Sequence, residues 1–314
     1  MSYEVVAEVV RSGLVESRHY GAVVALEPDG SVAWSVGKID EPMFPRSANK
    51  PAQAAAMVRC GLDVHGELLA LVAASHSGEE FHQAGARRIL ASAGLDVDAL
   101  QNTPGWPIDQ LARIAYIRGG HVASSLAADC SGKHAGMLAT CVINGWATDT
   151  YRDPGHPLQV AIAETLAELA GEPIGPTGVD ACGAPLFGLT LAGLARVFRN
   201  LAVAAPGSPE RRVVDAIQQH SEWTSGTTRD EAQLIRGVPG LFGKGGAEGV
   251  YAVALDDGRA VALKIGDGQS RARPVLMATA LRRLGLDYPV LDELAHAPVL
   301  GHGEPVGEVR AVGV

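Results

Sequence analysis

Two hairpin signals at opposite ends of the chain, with a long helical stretch between them, most limit the fold. Glu27-Pro28-Asp29-Gly30 separates Val-rich runs over 18–26 and 31–37. Proline presets φ there and glycine accepts a positive φ, which turns the chain back on itself. A partly alternating Val-rich run over 3–10 makes this end two or three antiparallel strands. Far along the chain, Asp256-Asp257-Gly258 separates apolar runs over 249–255 and 259–265 in the same way. Helical periodicity predicts helices over 68–74, 81–93, 132–144, 157–170, 186–201, 209–223 and 229–236, with Gly94, Gly145 and Gly171 at their ends. A late helix is predicted over 271–284 and an edge strand over 306–312. The expected class is α+β, an α/β sandwich. One antiparallel sheet forms from both termini (about 1–45 and 238–314) and packs on a helical lobe (about 46–237), all within a single domain over 1–314.

Composition narrows the function. With 47% apolar and 19% charged residues the chain is an ordinary globular protein. Its net charge of −9 argues against nucleic-acid or anionic-membrane partners. No apolar run is long enough to span a bilayer and the first residues lack a secretory pattern, so a cytoplasmic location is expected. The four cysteines are then expected to be thiols or metal ligands rather than disulfides. Cys60 and Cys141 lie in apolar helical stretches and read as core.

The first stretch that could carry chemistry is Arg46-Ser47-Ala48-Asn49-Lys50, followed by Pro51 and an Ala-rich run closed by Gly61. Proline is tolerated only where a helix begins, so Ser47 stands at a helix start with Lys50 one turn on. Residues three apart share a face, so hydroxyl and amine can meet. A lysine serves as the base of a serine nucleophile when burial or a second cation lowers its pKa. Ser-x-x-Lys alone is common by chance.

Three further stretches join it. Ser75-His76-Ser77-Gly78-Glu79 is a polar turn that is equally a capping turn into the next helix. Lys264-Ile265-Gly266 ends a late strand. Ser-x-x-Lys, a serine turn and a late Lys-x-Gly follow the chain order of the penicillin-recognising serine hydrolases. The chain departs from them in lacking Ser-Asp-Asn and in having Ile265 where they have Thr or Ser. The third stretch is a pair of islands, Asp129-Cys130-Ser131-Gly132-Lys133-His134 and Gly178 to Pro185 around Asp180 and Cys182. Their thiols either hold zinc or are small buried core groups.

As an ordered set, with Lys244-Gly245-Gly246-Ala247-Glu248-Gly249, Asp267-Gly268 and Arg271-Ala272, these stretches resemble the rhizobial-type (thermolabile) L-asparaginase family over nearly the whole chain. The resemblance implies a fold similar to serine β-lactamases and glutaminases, and a homodimer. It implies catalytic pairs that fall on Ser47 with Lys50 and on Ser75 with Lys264. It implies a zinc ion on Cys130, Lys133 and Cys182, and substrate contacts around Arg46, His76, Glu79, His134 and Asp180. The expected reaction is hydrolysis of L-asparagine to aspartate and ammonia. A glutaminase or a penicillin-recognising hydrolase is the enzymatic alternative, and a zinc-binding structural protein the non-enzymatic one.

Overall fold

In the computed structural model, which describes residues 3–314, both ends of the chain meet in one antiparallel sheet. Its strands are β1 (Glu4–Arg11), β2 (Leu14–Leu26) and β3 (Val32–Val36) from the start of the chain. Four short strands lie in the middle: β4 (Pro42–Met43), β5 (Thr177–Val179), β6 (Pro185–Phe187) and β7 (Leu189–Thr190). The end of the chain adds β8 (Leu241–Gly245), β9 (Val250–Leu255), β10 (Ala260–Ile265), β11 (Pro298–Gly301) and β12 (Glu304–Ala311). The eight-stranded sheet runs β11-β12-β1-β2-β10-β9-β8, with β3 also paired to β2; β4 pairs with β7 and β5 with β6.

The helices are α1 (Lys50–Arg59), α2 (Gly66–Val72), α3 (Glu80–Ser92), α4 (Gln110–Arg118), α5 (Ser131–Ile143), α6 (Pro157–Ala170) and α7 (Leu191–Ala202). After them come α8 (Pro209–Gln219), α9 (Ser221–Thr224), α10 (Asp230–Gly237), α11 (Arg273–Arg283) and α12 (Pro289–Ala295). Strand β9 is buried residue after residue and β10 almost so, hence both sheet faces are covered. Helix α7 packs on β2, β9 and β10, and α11 on β9, β10 and β12. One apolar core joins sheet and helices. Helix α1 is buried along nearly its whole length because its alanines let α5, α6 and α8 approach closely.

Several expectations change. The run from 186 is not helical until Leu191, because β6 and β7 come first and the Thr190 hydroxyl accepts from Gly193 N–H at 2.8 Å to start α7. The 209–223 helix breaks at His220, whose φ is −132°. Strand β2 begins already at Leu14, after a tight turn in which Ser12 and Gly13 both take positive φ. Strand β12 is internal and β11 is the edge, a short Pro-started strand with little periodicity to read. Helices α4 and α12 and strand β8 form where the periodicity predicts no element. Cys60 sits at the end of α1, partly exposed, while Cys141 is core. No helix among the described residues is long and apolar enough to cross a membrane, and all four cysteines are free.

Candidate active site

A tight turn sets the geometry. Residues Arg46–Asn49 form one 3-10 turn that runs straight into α1, and the Lys50 N–H donates to the Ser47 carbonyl. Pro51 falls in the first turn of α1, where its missing N–H costs nothing. Gly246, just past β8, lies flat against this turn. A Cβ on it would stand 2.7 Å from the Pro45 carbonyl oxygen and 3.3 Å from the Ser47 nitrogen, so only glycine fits.

Ser47 is partly exposed, and no group among the described residues hydrogen-bonds its hydroxyl. Lys50 is buried, and its amine turns to the 74–79 turn rather than to Ser47. It donates to the Ala74 carbonyl at 2.7 Å and the Ser75 hydroxyl at 2.8 Å, with an Asp129 carboxylate oxygen 3.8 Å away. The turn itself is anchored by Ser75 N–H on Thr224 O (3.1 Å) and His76 N–H on Asp129 O (3.0 Å).

The expected Ser75–Lys264 pair is not formed. Lys264 donates to the carbonyls of Glu248 and Ile265, the latter at 2.8 Å. It lines a cleft of about 420 Å³ with Phe44, Arg46, Val179, Leu186 and Glu248. Burial pulls its amine below the usual lysine range. The strand that passes the Ser47 turn, β8, carries a second lysine, Lys244, which is fully buried and is pulled down to about 8, chiefly by burial. Its Lys-Gly-Gly segment is one of the stretches that carry the resemblance, but the resemblance implies no role for this lysine. A compositional signal existed: lysines number only five of the 26 Lys and Arg residues, and Lys50, Lys133 and Lys244 are all buried. Buried lysines are rare unless they have partners or a task.

The other expected residues divide. Arg46, at φ 50°, pairs with Asp180 at 2.8 Å and comes within 3.7 Å of Glu248, so Arg46 and Asp180 do meet beside Ser47. Glu79 accepts from Ser77 Oγ (2.5 Å) and from Thr227 Oγ1 (2.8 Å). Burial pushes its carboxyl up, but these bonds outweigh it and hold the group below the usual carboxylate range. His76 is wholly buried, with Nε2 2.8 Å from Ser131 Oγ and its ring stacked on His82 at 4.8 Å. It lies beneath the site rather than lining it.

His134 belongs with the thiols. The ligand atoms of Cys130, His134 and Cys182 lie within 4.8 Å of one another, and all three residues are buried. Lys133 Nζ stands 3.2 Å from Cys182 Sγ. His134 Nδ1 is taken by the Tyr151 hydroxyl at 2.7 Å, while its buried Nε2 has no hydrogen-bond partner. The neighbouring Cys130 thiol and the Lys133 charge hold the Cys182 thiol low, while Cys182 and burial push Cys130 up. Two sulfurs and an unpartnered imidazole nitrogen are a donor set that suits zinc. The Tyr151 bond is the outer contact that orients a ligating imidazole.

The buried histidines carry a pH expectation. Burial lowers His82 to about 4 and His76 well below its ordinary value. Folding stability is therefore full above about pH 6.5 and is lost as pH falls from there toward about 4, by about 3 kcal/mol for His82 alone. Urea unfolding across this range checks it. His82→Gln should flatten the slope, and an unchanged slope would refute the assignment.

A family model described as L-asparaginase II matches residues 7–311. No curated protein matches significantly. Among solved structures, the chain is similar to Mglu in its native form (15% identity, 84% of this chain and 64% of that one, TM-score 0.47). It is also similar to a β-lactamase from Mycobacterium bovis (16%, 85% and 95%, 0.45) and to a Bacillus glutaminase (12%, 85% and 91%, 0.41). The chain thus spans less than two thirds of the length of Mglu.

Proposed function

Since the chain belongs to the L-asparaginase II family, we propose that it is an amidohydrolase that converts L-asparagine to L-aspartate and ammonia through a serine–lysine site. The observation that carries the mechanism is the buried Lys50 amine, 2.8 Å from Ser75 Oγ and one tight turn past the open hydroxyl of Ser47.

Ser47 attacks the side-chain amide carbon. Its proton passes to Lys50, directly or through Ser75, and is returned to the leaving ammonia. Backbone N–H groups of the Ser47 turn and the segment after β8 stabilise the oxyanion. Lys244 takes the place first expected of Lys264, as the second lysine of the site. Arg46 and Lys264, in the adjoining cleft, bring cations that suit the carboxylate end of an amino acid. Water then hydrolyses the acyl-serine in the reverse sense.

Ammonia release from asparagine and glutamine, with nitrocefin alongside, tests this. Turnover of asparagine is expected. Preference for glutamine or nitrocefin would favour the alternative hydrolases, and no turnover at all a structural role.

We also propose one zinc ion on Cys130, Cys182 and Lys133, with His134 at hand as a further ligand. When bound it supplies a Lewis-acid grip on the amino-acid end of the substrate, the nucleophile being already present in Ser47. Protein purified without added metal is expected to carry about one zinc per chain. Chelation should raise KM more than it lowers kcat. Only trace zinc, with full activity after chelation, would leave these cysteines as core thiols.

A homodimer remains part of the proposal. Helix α4 buries none of its residues and leaves Leu111, Ile114 and Ile117 exposed, a face that a second copy could cover.

A further inference from the structure

Behind Ser47 lies a buried cluster of charges of which the mechanism above uses only Lys244. Lys244 Nζ donates to Glu231 Oε2 at 3.2 Å and to the Gly245 carbonyl at 2.8 Å. The other Glu231 oxygen accepts from Arg229 at 3.1 Å and lies 3.3 Å from Arg273, which also pairs with Asp230 at 3.0 Å. The Lys244 and Glu231 side chains are 0% and 1% exposed.

Two glycines press this cluster against the Ser47 turn. A Cβ on Gly245 would stand 2.3 Å from both Arg273 Nη1 and Glu231 Oε1. A Cβ on Gly246 would meet the Pro45 carbonyl and the Ser47 nitrogen. Lys244-Gly245-Gly246 therefore touches the charge cluster on one side and the Ser47 turn on the other. An apolar cluster of similar volume would hold the fold at least as well, because buried ion pairs barely recover their desolvation cost.

We propose that Glu231 is a positioning residue: it holds the Lys244 amine beside the Ser47 turn and through it sets the pH range in which the site works. This rests on the serine–lysine reading above. The groups around Lys244 allow the sign to be worked out. Helix α10 and the residue before it bring Glu231, Asp230 and Arg229; α11 brings Arg273, α1 brings Lys50, and β9 brings Tyr251. The charged side chains of α8 are engaged elsewhere: Glu210 with Arg59, Arg211 with Asp215 and Asp256, and Arg212 with His65. Burial draws Lys244 down, Lys50 and Arg229 draw it further, and Glu231 opposes them. Removing the Glu231 charge therefore lets the Lys244 midpoint fall.

With only five lysines, side-chain NMR of lysine-labelled full-length protein is assignable by single substitutions. Glu231→Gln is expected to lower the Lys244 midpoint by about one pH unit or more. The limb of the pH–kcat curve that follows Lys244 should move down with it. The same variant should lower kcat at least ~10-fold and change KM less. Glu231→Asp keeps the charge but withdraws it by one methylene, so it should shift both readouts in the same direction by less, and it serves if Glu231→Gln does not fold. A Lys244 midpoint that stays put in these variants would overturn the proposal. So would a midpoint that moves while the pH–kcat limb does not. A wild-type protein without amide turnover would sink the amidase reading and the clause on working pH, yet the titration would still decide whether Glu231 holds the amine.

Discussion

Ser47→Ala is expected to lower kcat for asparagine by about four orders of magnitude or more while the protein stays folded. The expectation rests on position rather than on residue type. Serines are plentiful here, and Ser75 and Ser131 are also near Lys50 or His76, but their hydroxyls are already hydrogen-bonded. Ser47 is partly exposed, unpartnered, and held at the start of α1 by a turn that Gly246 clamps from the other side. Its alkoxide would form at the positive end of a buried helix, where it is favoured. Truncating a partly exposed hydroxyl leaves no buried group unsatisfied, so thermal unfolding should barely move. Ser75→Ala is the informative partner, because it strips the Lys50 amine of one of its two close acceptors and should slow proton transfer without removing the nucleophile. Near-normal turnover in Ser47→Ala, with Ser75→Ala inactive, would transfer the nucleophile to Ser75.

The second large effect separates two lysines that share the pattern Lys-x-Gly. Lys244→Met is expected to cost about three orders of magnitude in kcat, and Lys264→Met about tenfold, the latter mainly in KM. Lys244 is buried against Glu231 on the strand that passes the Ser47 turn, whereas Lys264 stands in the cleft beside Arg46 and donates to two backbone carbonyls. Methionine preserves the bulk of the Lys244 stem, and Glu231 keeps Arg229 and Arg273 as partners, so the core should tolerate the change. Because burial pulls Lys244 to about 8, the wild-type rate should have a limb in that region. If Lys244 acts as a base the rate rises with pH through it; if it acts as a cation the rate falls. Equal losses in the two variants would remove the distinction.

The sequence by itself determined the parts that rest on local periodicity and turn chemistry. Pro28-Asp29-Gly30 and Asp257-Gly258 declared hairpins because only such residues accept the required φ, and both glycines take positive φ in the structure. Pro51 and Pro157 marked helix starts because proline has no N–H to lose there, and Gly171 ended α6 at φ 64°. Ser47 at the mouth of a helix with Lys50 just beyond was legible for the same reason. What was not legible is which distant groups meet. Lys264-Ile265-Gly266 and Lys244-Gly245-Gly246 are equivalent as local patterns, and nothing within a few residues of either says which one approaches Ser47. Strand order decides it. β10 lies between β2 and β9, while β8, at the opposite edge of the sheet from β11, passes the Ser47 turn. The same holds for His134, whose place in one polar island with Cys130 is legible but whose approach to Cys182 exists only once the Asp180–Gly183 loop folds that thiol against it. It holds for Glu231 too, whose helix looks like any surface helix with acids in its first turn until β8 covers it and leaves its carboxylate facing Lys244. Spacing along the chain encodes which face a side chain takes. Which element that face meets is set by long-range strand pairing and packing, and those exist only in the folded molecule.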